Sequence, residues 1–163
     1  MTQTAEILPL QRPPVVNLRA AKRHDLEALS TMISELAADH GDIATASAAQ
    51  LERDLFGPVP WISAFVAEAG GVLIGYAILA PLYKAAEGAR GMDLNQLYVR
   101  PDHRGTGIGR HLIDKARLHA KTAGCSYLSV SAATGNFKAH RFYENLSFQP
   151  RPVTGMRYLQ AIA

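Results

Sequence analysis

The stretch best equipped for chemistry is Leu97-Tyr98-Val99-Arg100-Pro101-Asp102-His103-Arg104-Gly105-Thr106-Gly107-Ile108-Gly109-Arg110. An apolar run stops at a proline and a short basic loop follows. Gly105, Gly107 and Gly109 then alternate into the opening of a helix. Glycine permits tight turns and lets a ligand approach the backbone closely. The first helical turn has unpaired N–H groups and a dipole that favours anions. Arg104 to Arg110 therefore reads as a phosphate cradle.

Three kinds of cradle compete. A P-loop ends in Gly-Lys-Ser/Thr, and no lysine followed by Ser or Thr closes this loop. A dinucleotide fingerprint spaces its glycines G-x-G-x-x-G and needs an acidic residue about 20 positions on. Here the spacing is G-x-G-x-G, and no Asp or Glu lies between Asp114 and Glu144. The third pattern is R/Q-x-x-G-x-G/A, met by Arg104, Gly107 and Gly109. Downstream, Asn136-Phe137-Lys138-Ala139-His140-Arg141-Phe142-Tyr143 fits N-x-x-A-x-x-F-Y. With these two motifs in this order, the chain resembles the GNAT superfamily of N-acetyltransferases from about Val15 onward.

That resemblance implies a GNAT-like α/β (α+β) fold: a mixed sheet of about six to seven strands flanked by about four helices. It implies acetyl-CoA as cosubstrate, held by Leu97, Tyr98, Val99, Arg104, Gly105, Thr106, Gly107, Ile108, Gly109 and Arg110, with Asn136 and Tyr143 from the second motif. The strands ending near Val99 and Ser131 splay apart in the resembled fold. The pantetheine arm fills that gap and pairs with the backbone of Leu97 to Val99, and both motifs lead there. Tyr143 takes the place of a general acid facing the sulfur, whereas its bland reading is a packing aromatic. Relatives often carry a glutamate where this chain has Asn95, and an amide is no base at neutral pH. Asp93, two residues earlier, is the alternative base, directly or through water. Deprotonation by water alone remains equally open. An oriented N–H near Tyr98 or Val99 would stabilise the oxyanion. The family's Gly-Phe after the second motif is Ser147-Phe148 here, which puts the closing turn in question.

Acceptor binding is expected from the first two helices, the Ala80 to Gly91 loop and the strand face carrying Tyr76, with Asp93. Glu35, Asp39 and Asp42 give the first-helix region an acidic side that would attract a cationic amine. Trp61 and Tyr83 are candidates for an apolar wall, with Trp61 reading better as core. The leading function is acetyl transfer from acetyl-CoA to a primary amine of a small molecule. A protein or peptide amine acetyltransferase and a non-catalytic acyl-CoA sensor are the alternatives.

The elements that must position these residues follow from patterning. A strand is expected at Val15–Arg19, and an amphipathic helix from Asp25 to Ala38 with Leu26, Leu29, Ile33 and Leu36 on one face. A second helix runs from its Ser47 cap to Leu55. Trp61–Glu68 and Val72–Leu79 form an antiparallel pair, and Ala80 to Gly91 is a loop. Strand Met92–Arg100, helix Gly107–Thr122 and strand Ser126–Ser131 make a parallel crossover unit. A helix from Asn136 to Asn145 precedes short strands at Phe148–Arg151 and Gly155–Leu159.

The 163 residues suggest a single domain, residues 15–163, behind a flexible arm of residues 1–14. The arm has no basic start ahead of an apolar core and does not read as a secretory signal. Net charge is +3, and no long basic run or aromatic platform suggests nucleic-acid binding. Glu68 and Ala69-Gly70-Gly71 break the most apolar stretch, against a membrane span. The single cysteine, Cys125, excludes an internal disulfide and suits a cytoplasmic location, and it reads as the start of a buried strand. The histidines lack metal-ligand spacing, so no metal is expected. A homodimer is plausible by analogy with the family.

Overall fold

A computed structural model describes residues 15–153 and 155–162. The expected arm, residues 1–14, lies outside the described residues. The chain forms two compact units that divide after Val130.

The first unit holds a five-stranded sheet in the order β1 (Val16–Ala20), β2 (Ser63–Ala69), β3 (Val72–Lys84), β4 (Ala89–Val99), β5 (Tyr127–Ser129). The pairs are antiparallel except β4–β5, which is parallel and joined through helix α3 (Ile108–Thr122). Helices α1 (Leu26–Asp39) and α2 (Ala48–Phe56) precede β2. Ser47 caps α2, and its side chain and that of Gln50 each satisfy the other's backbone N–H.

The sheet is covered on both faces. Leu29, Met32 and Ile33 of α1 and Leu51 and Leu55 of α2 pack with Val66, Tyr76, Ile78 and Tyr98. α3 crosses β2, β3 and β4, burying Leu112, Ile113 and Ala116 completely. At Gly75 an added Cβ would lie 2.8 Å from the Tyr98 carbonyl oxygen and 3.5 Å from Leu112, so the glycine lets α3 close onto the sheet.

Three expectations change in the first unit. The segment from Ala80 to Gly91 is largely strand. β3 runs on to Lys84, a 3-10 turn at Ala85–Glu87 reverses the chain, and β4 starts at Ala89. Pro81 is tolerated there because β2 ends opposite Leu79, leaving that side of β3 without a ladder. Trp61 is 71% exposed and is not core. Cys125 is half-buried in the coil ahead of β5.

The second unit contains α4 (Phe137–Asn145). The closing strands expected at Phe148–Arg151 and Gly155–Leu159 do not form, so among the described residues the sheet has five strands and not six to seven. Pro150 and Pro152 remove alternate ladder donors from the first of these segments. The second has no ladder partner among the described residues and exposes Met156, Tyr158 and Leu159.

Candidate active site

The site is built on the last half of β4, where two irregularities change what the strand presents. The first is a bulge. Ile78 lies opposite Gln96 and Leu79 opposite Leu94, so Asn95 has no cross-strand partner. A bulge shifts side-chain alternation by one residue. Met92 and Leu94 face α3, and beyond the bulge Leu97 and Val99 take that side. Gln96 and Tyr98 therefore join Asp93 on the face toward α1, which unbroken alternation would have given to Leu97 and Val99. The sequence did carry a signal. The apolar positions 92, 94, 97 and 99 are spaced two, three and two apart.

The second irregularity is an early parting of β4 and β5. They pair only at Gly91–Tyr127, Met92–Leu128 and Asp93–Ser129. Beyond Asp93, β4 continues for six residues with no strand on that edge among the described residues. On its other edge the Arg100 N–H donates to the Ile74 carbonyl at 2.9 Å. Backbone groups alternate along an antiparallel pair, so Tyr98 faces β3 whereas Leu97 and Val99 turn their N–H and C=O to the open edge. Gly91 is needed where the strands still pair. A Cβ there would fall 2.1 Å from Cζ of Tyr127.

The α1-facing surface of β4 is polar and closely partnered. Ser129 donates its hydroxyl to Asp93 Oδ1 at 2.8 Å. The fully buried Tyr76 donates its hydroxyl to Gln96 Oε1 at 3.0 Å. Tyr98 donates to Glu35 Oε2 at 3.0 Å. Arg100 grips the same carboxylate with both ends of its fork, at 3.2 and 3.0 Å. Burial raises both phenols, and for Tyr98 the bond to Glu35 adds to it. Asn95 is exposed.

Val99 leads through a 3-10 turn, Pro101–His103, into the glycine loop. Gly105 and Gly107 have φ of 75° and 87°, left-handed values that disfavour any residue with a Cβ. Gly107 is the N-cap of α3 and offers no side chain to it. The first bond of the helix is from the His111 N–H to the Gly107 carbonyl, 3.1 Å. Ile108, Gly109 and Arg110 thus have N–H groups with no intrahelical acceptor, which suits a diphosphate. Thr106 spends its hydroxyl on the His103 carbonyl, 2.6 Å. Arg104 turns back from the loop. Its Nε donates to the Val99 carbonyl at 2.7 Å and its Nη2 to Asp39 Oδ2 at 2.7 Å, with the guanidinium 5.5 Å from the Tyr98 ring centre. A groove of about 540 Å³, lined by Val16, Leu18, Thr106, Ile108, His111 and Leu118 among others, runs from the loop along the β1 side of α3.

In the second unit Asn136 caps its own helix, accepting the Ala139 N–H at 3.1 Å. The far end of α4 closes as a Schellman turn. The Phe148 N–H donates to the Tyr143 carbonyl and the Ser147 N–H to the Glu144 carbonyl, at 3.1 and 2.9 Å. Ser147 takes a left-handed conformation, φ 66°, of the kind that favours glycine. The Phe148 ring meets the Tyr143 ring edge-on, centres 5.6 Å apart. Burial raises the Tyr143 phenol.

Residues 29–148 match the acetyltransferase (GNAT) family. This chain belongs to that family. It is 33% identical over 141 residues to a thialysine N-epsilon-acetyltransferase of Sus scrofa, covering 80% of this chain and 82% of the relative. It is 31% identical over 143 residues to a mycothiol acetyltransferase of Thermobispora bispora, covering 83% of this chain and 47% of that longer protein. Among solved structures, a probable acetyltransferase overlays with a TM-score of 0.77 at 21% identity, over 90% of this chain and 99% of the other. This GNAT protein is thus an acetyltransferase, with the family's mixed sheet and four helices. No described helix is long and apolar enough to cross a membrane.

Proposed function

We propose that this GNAT enzyme transfers the acetyl group of acetyl-CoA to a primary amine of a small molecule, by direct attack within a ternary complex. The observation that carries this reading is the unpaired edge of β4 beyond Asp93, leading straight into the glycine loop and the uncapped start of α3. The open N–H and C=O of Leu97 suit the amides of a pantetheine arm, while the Val99 carbonyl is already taken by Arg104. The loop N–H groups suit the diphosphate. Small-molecule acceptors in the names of related acetyltransferases support the acceptor class.

In this reading the neutral amine attacks the thioester carbonyl, and the Val99 N–H is the backbone donor best turned toward the developing oxyanion. The C–S bond breaks and the departing thiolate takes a proton from the Tyr143 phenol, which burial keeps protonated. The proton lost by the amine goes to Asp93 or to a water it holds. Asp93→Asn then lowers turnover across the pH range, and unchanged kinetics would remove that role.

The test is free-thiol release from acetyl-CoA in the presence of an amine panel, with the acetylated amine identified by mass. Thiol and acetylamine should appear in equal amounts. Donor binding with no turnover on any amine would overturn the enzyme reading in favour of a sensor, the alternative that Asn95 in place of a carboxylate keeps in view.

A further inference from the structure

We propose that the acceptor carries one uncompensated positive charge, at the reacting nitrogen. A simple monoamine or an amino-acid amine fits this description, and a linear polyamine does not. The inference rests on the transfer reading above and narrows its acceptor class.

A polyamine keeps each of its nitrogens charged near neutrality, and each ammonium leaving water needs an anion or several acceptors. The α1-facing side of β4 does not offer that series. Glu35 is held by both ends of the Arg100 fork and by the Tyr98 hydroxyl. Asp39 is paired with Arg104 at 2.7 Å. At the bulge, where carboxylates would extend an anionic track along the strand, the residues are the neutral amides Asn95 and Gln96. At the hairpin end of the same strand pair, Glu87 lies 3.4 Å from Lys84. Asp93 differs from all of these because its bond is to the neutral Ser129 hydroxyl. Even where exposed pairs open and close, each arginine cancels the distant field of its carboxylate. The charges of Glu35 and Asp39 are therefore neutralised, Asp42 is exposed beyond the end of α1, and on the α1-facing side of β4 Asp93 is left as the anion for one ammonium. A second ammonium would approach the Glu35–Arg100 and Asp39–Arg104 pairs and find no free anion there, unless the acceptor's own carboxylate compensates it.

L-Lysine and cadaverine share the same chain and terminal amine and differ by one carboxylate, so they form the matched pair for the test. Thiol release would be measured for both, with a monoamine, spermidine and an aminoglycoside beside them. Lysine or the monoamine is expected to exceed cadaverine and spermidine by about tenfold in kcat/KM, the scale of one charge-assisted hydrogen bond. Gln96→Glu keeps an acceptor oxygen for Tyr76 and adds the missing anion. It should shift the lysine-to-cadaverine ratio about tenfold toward cadaverine while acetyl-CoA affinity, measured by calorimetry, stays constant. A best acceptor bearing two or more uncompensated ammonium groups would overturn the proposal, as would a ratio unmoved by Gln96→Glu. No release with any amine would instead sink the transfer reading itself.

Discussion

The Tyr76 hydroxyl donates to the side-chain carbonyl of Gln96 at 3.0 Å, across two strands whose register slips by one residue at Asn95, next to Gln96. Tyr76 is fully buried, and its ring packs on Tyr98 with centres 5.9 Å apart. The phenol thus ties the bulge to the core under α1. Tyr76→Phe keeps the packing and removes the tie. It should cost about 1 kcal/mol in urea denaturation. Tyr76→Ala should cost about 3–5 kcal/mol, because it also opens a cavity. In Tyr76→Phe the Gln96 amide is free to turn, so the KM of the acceptor should rise more than that of acetyl-CoA.

Ser147 pays a conformational cost at the end of α4. A residue with a Cβ in the left-handed region is disfavoured by about 1–2 kcal/mol, and glycine recovers part of this against its greater freedom when unfolded. Ser147→Gly should therefore raise stability by up to about 1 kcal/mol, while Ser147→Val lowers it. Thermal unfolding of the three proteins side by side decides the matter. A glycine variant no more stable than the parent would show that the turn does not hold Ser147 at a positive φ in solution.

Arg19 and Asp25 make the acid-sensitive contact of the fold. Asp25 is 3% exposed and takes both ends of the Arg19 fork at 2.6 and 2.9 Å, with a further bond from the Lys22 N–H. Arg19 above all, and then Lys22, hold its carboxyl below the ordinary value of 3.8. The unfolded chain therefore takes up this proton at a higher pH than the folded one does. The stabilisation is complete above the ordinary value and drains away as the pH falls below it toward the depressed folded value. Asp25→Asn should flatten the acid limb of a stability–pH curve in that range. Arg19→Met leaves a buried carboxylate without its cation and should cost about 3–5 kcal/mol at neutral pH.

The glycine loop was legible in the sequence because its backbone conformation forces its residue types. Gly105 and Gly107 need positive φ, and few other residues tolerate it. The helices were legible from their apolar spacing and from Ser47. Gln96 was not, because a bulge inserts one residue without changing composition. Only the three-residue gap between Leu94 and Leu97 betrays it. The extension of β3 to Lys84 was hidden behind Pro81 and the small residues after it, which mark a loop unless the neighbouring strand is known to stop at that point. The pairing of Glu35 with Arg100 and of Asp39 with Arg104 spans 65 positions each. A charge count on one helix gives no hint of either.

Tyr143 gives the sharpest test of the chemistry. Its carbonyl anchors the closing turn of α4 and its ring rests between Phe142 and Phe148, with centres 5.3 and 5.6 Å away. Phenylalanine preserves all of these contacts, so Tyr143→Phe should fold normally and unfold within about 1 kcal/mol of the parent. If the hydroxyl supplies the proton for the departing thiolate, kcat should fall by about 10²-fold or more while the KM for acetyl-CoA changes little. The parent's kcat should also hold on the alkaline side past the ordinary phenol value, because burial raises the group that must stay protonated. Acetyl donors with more acidic thiols need less help in leaving, so they should close part of the gap between parent and variant. A packing role alone would leave kcat, its alkaline limb and this leaving-group dependence where they were.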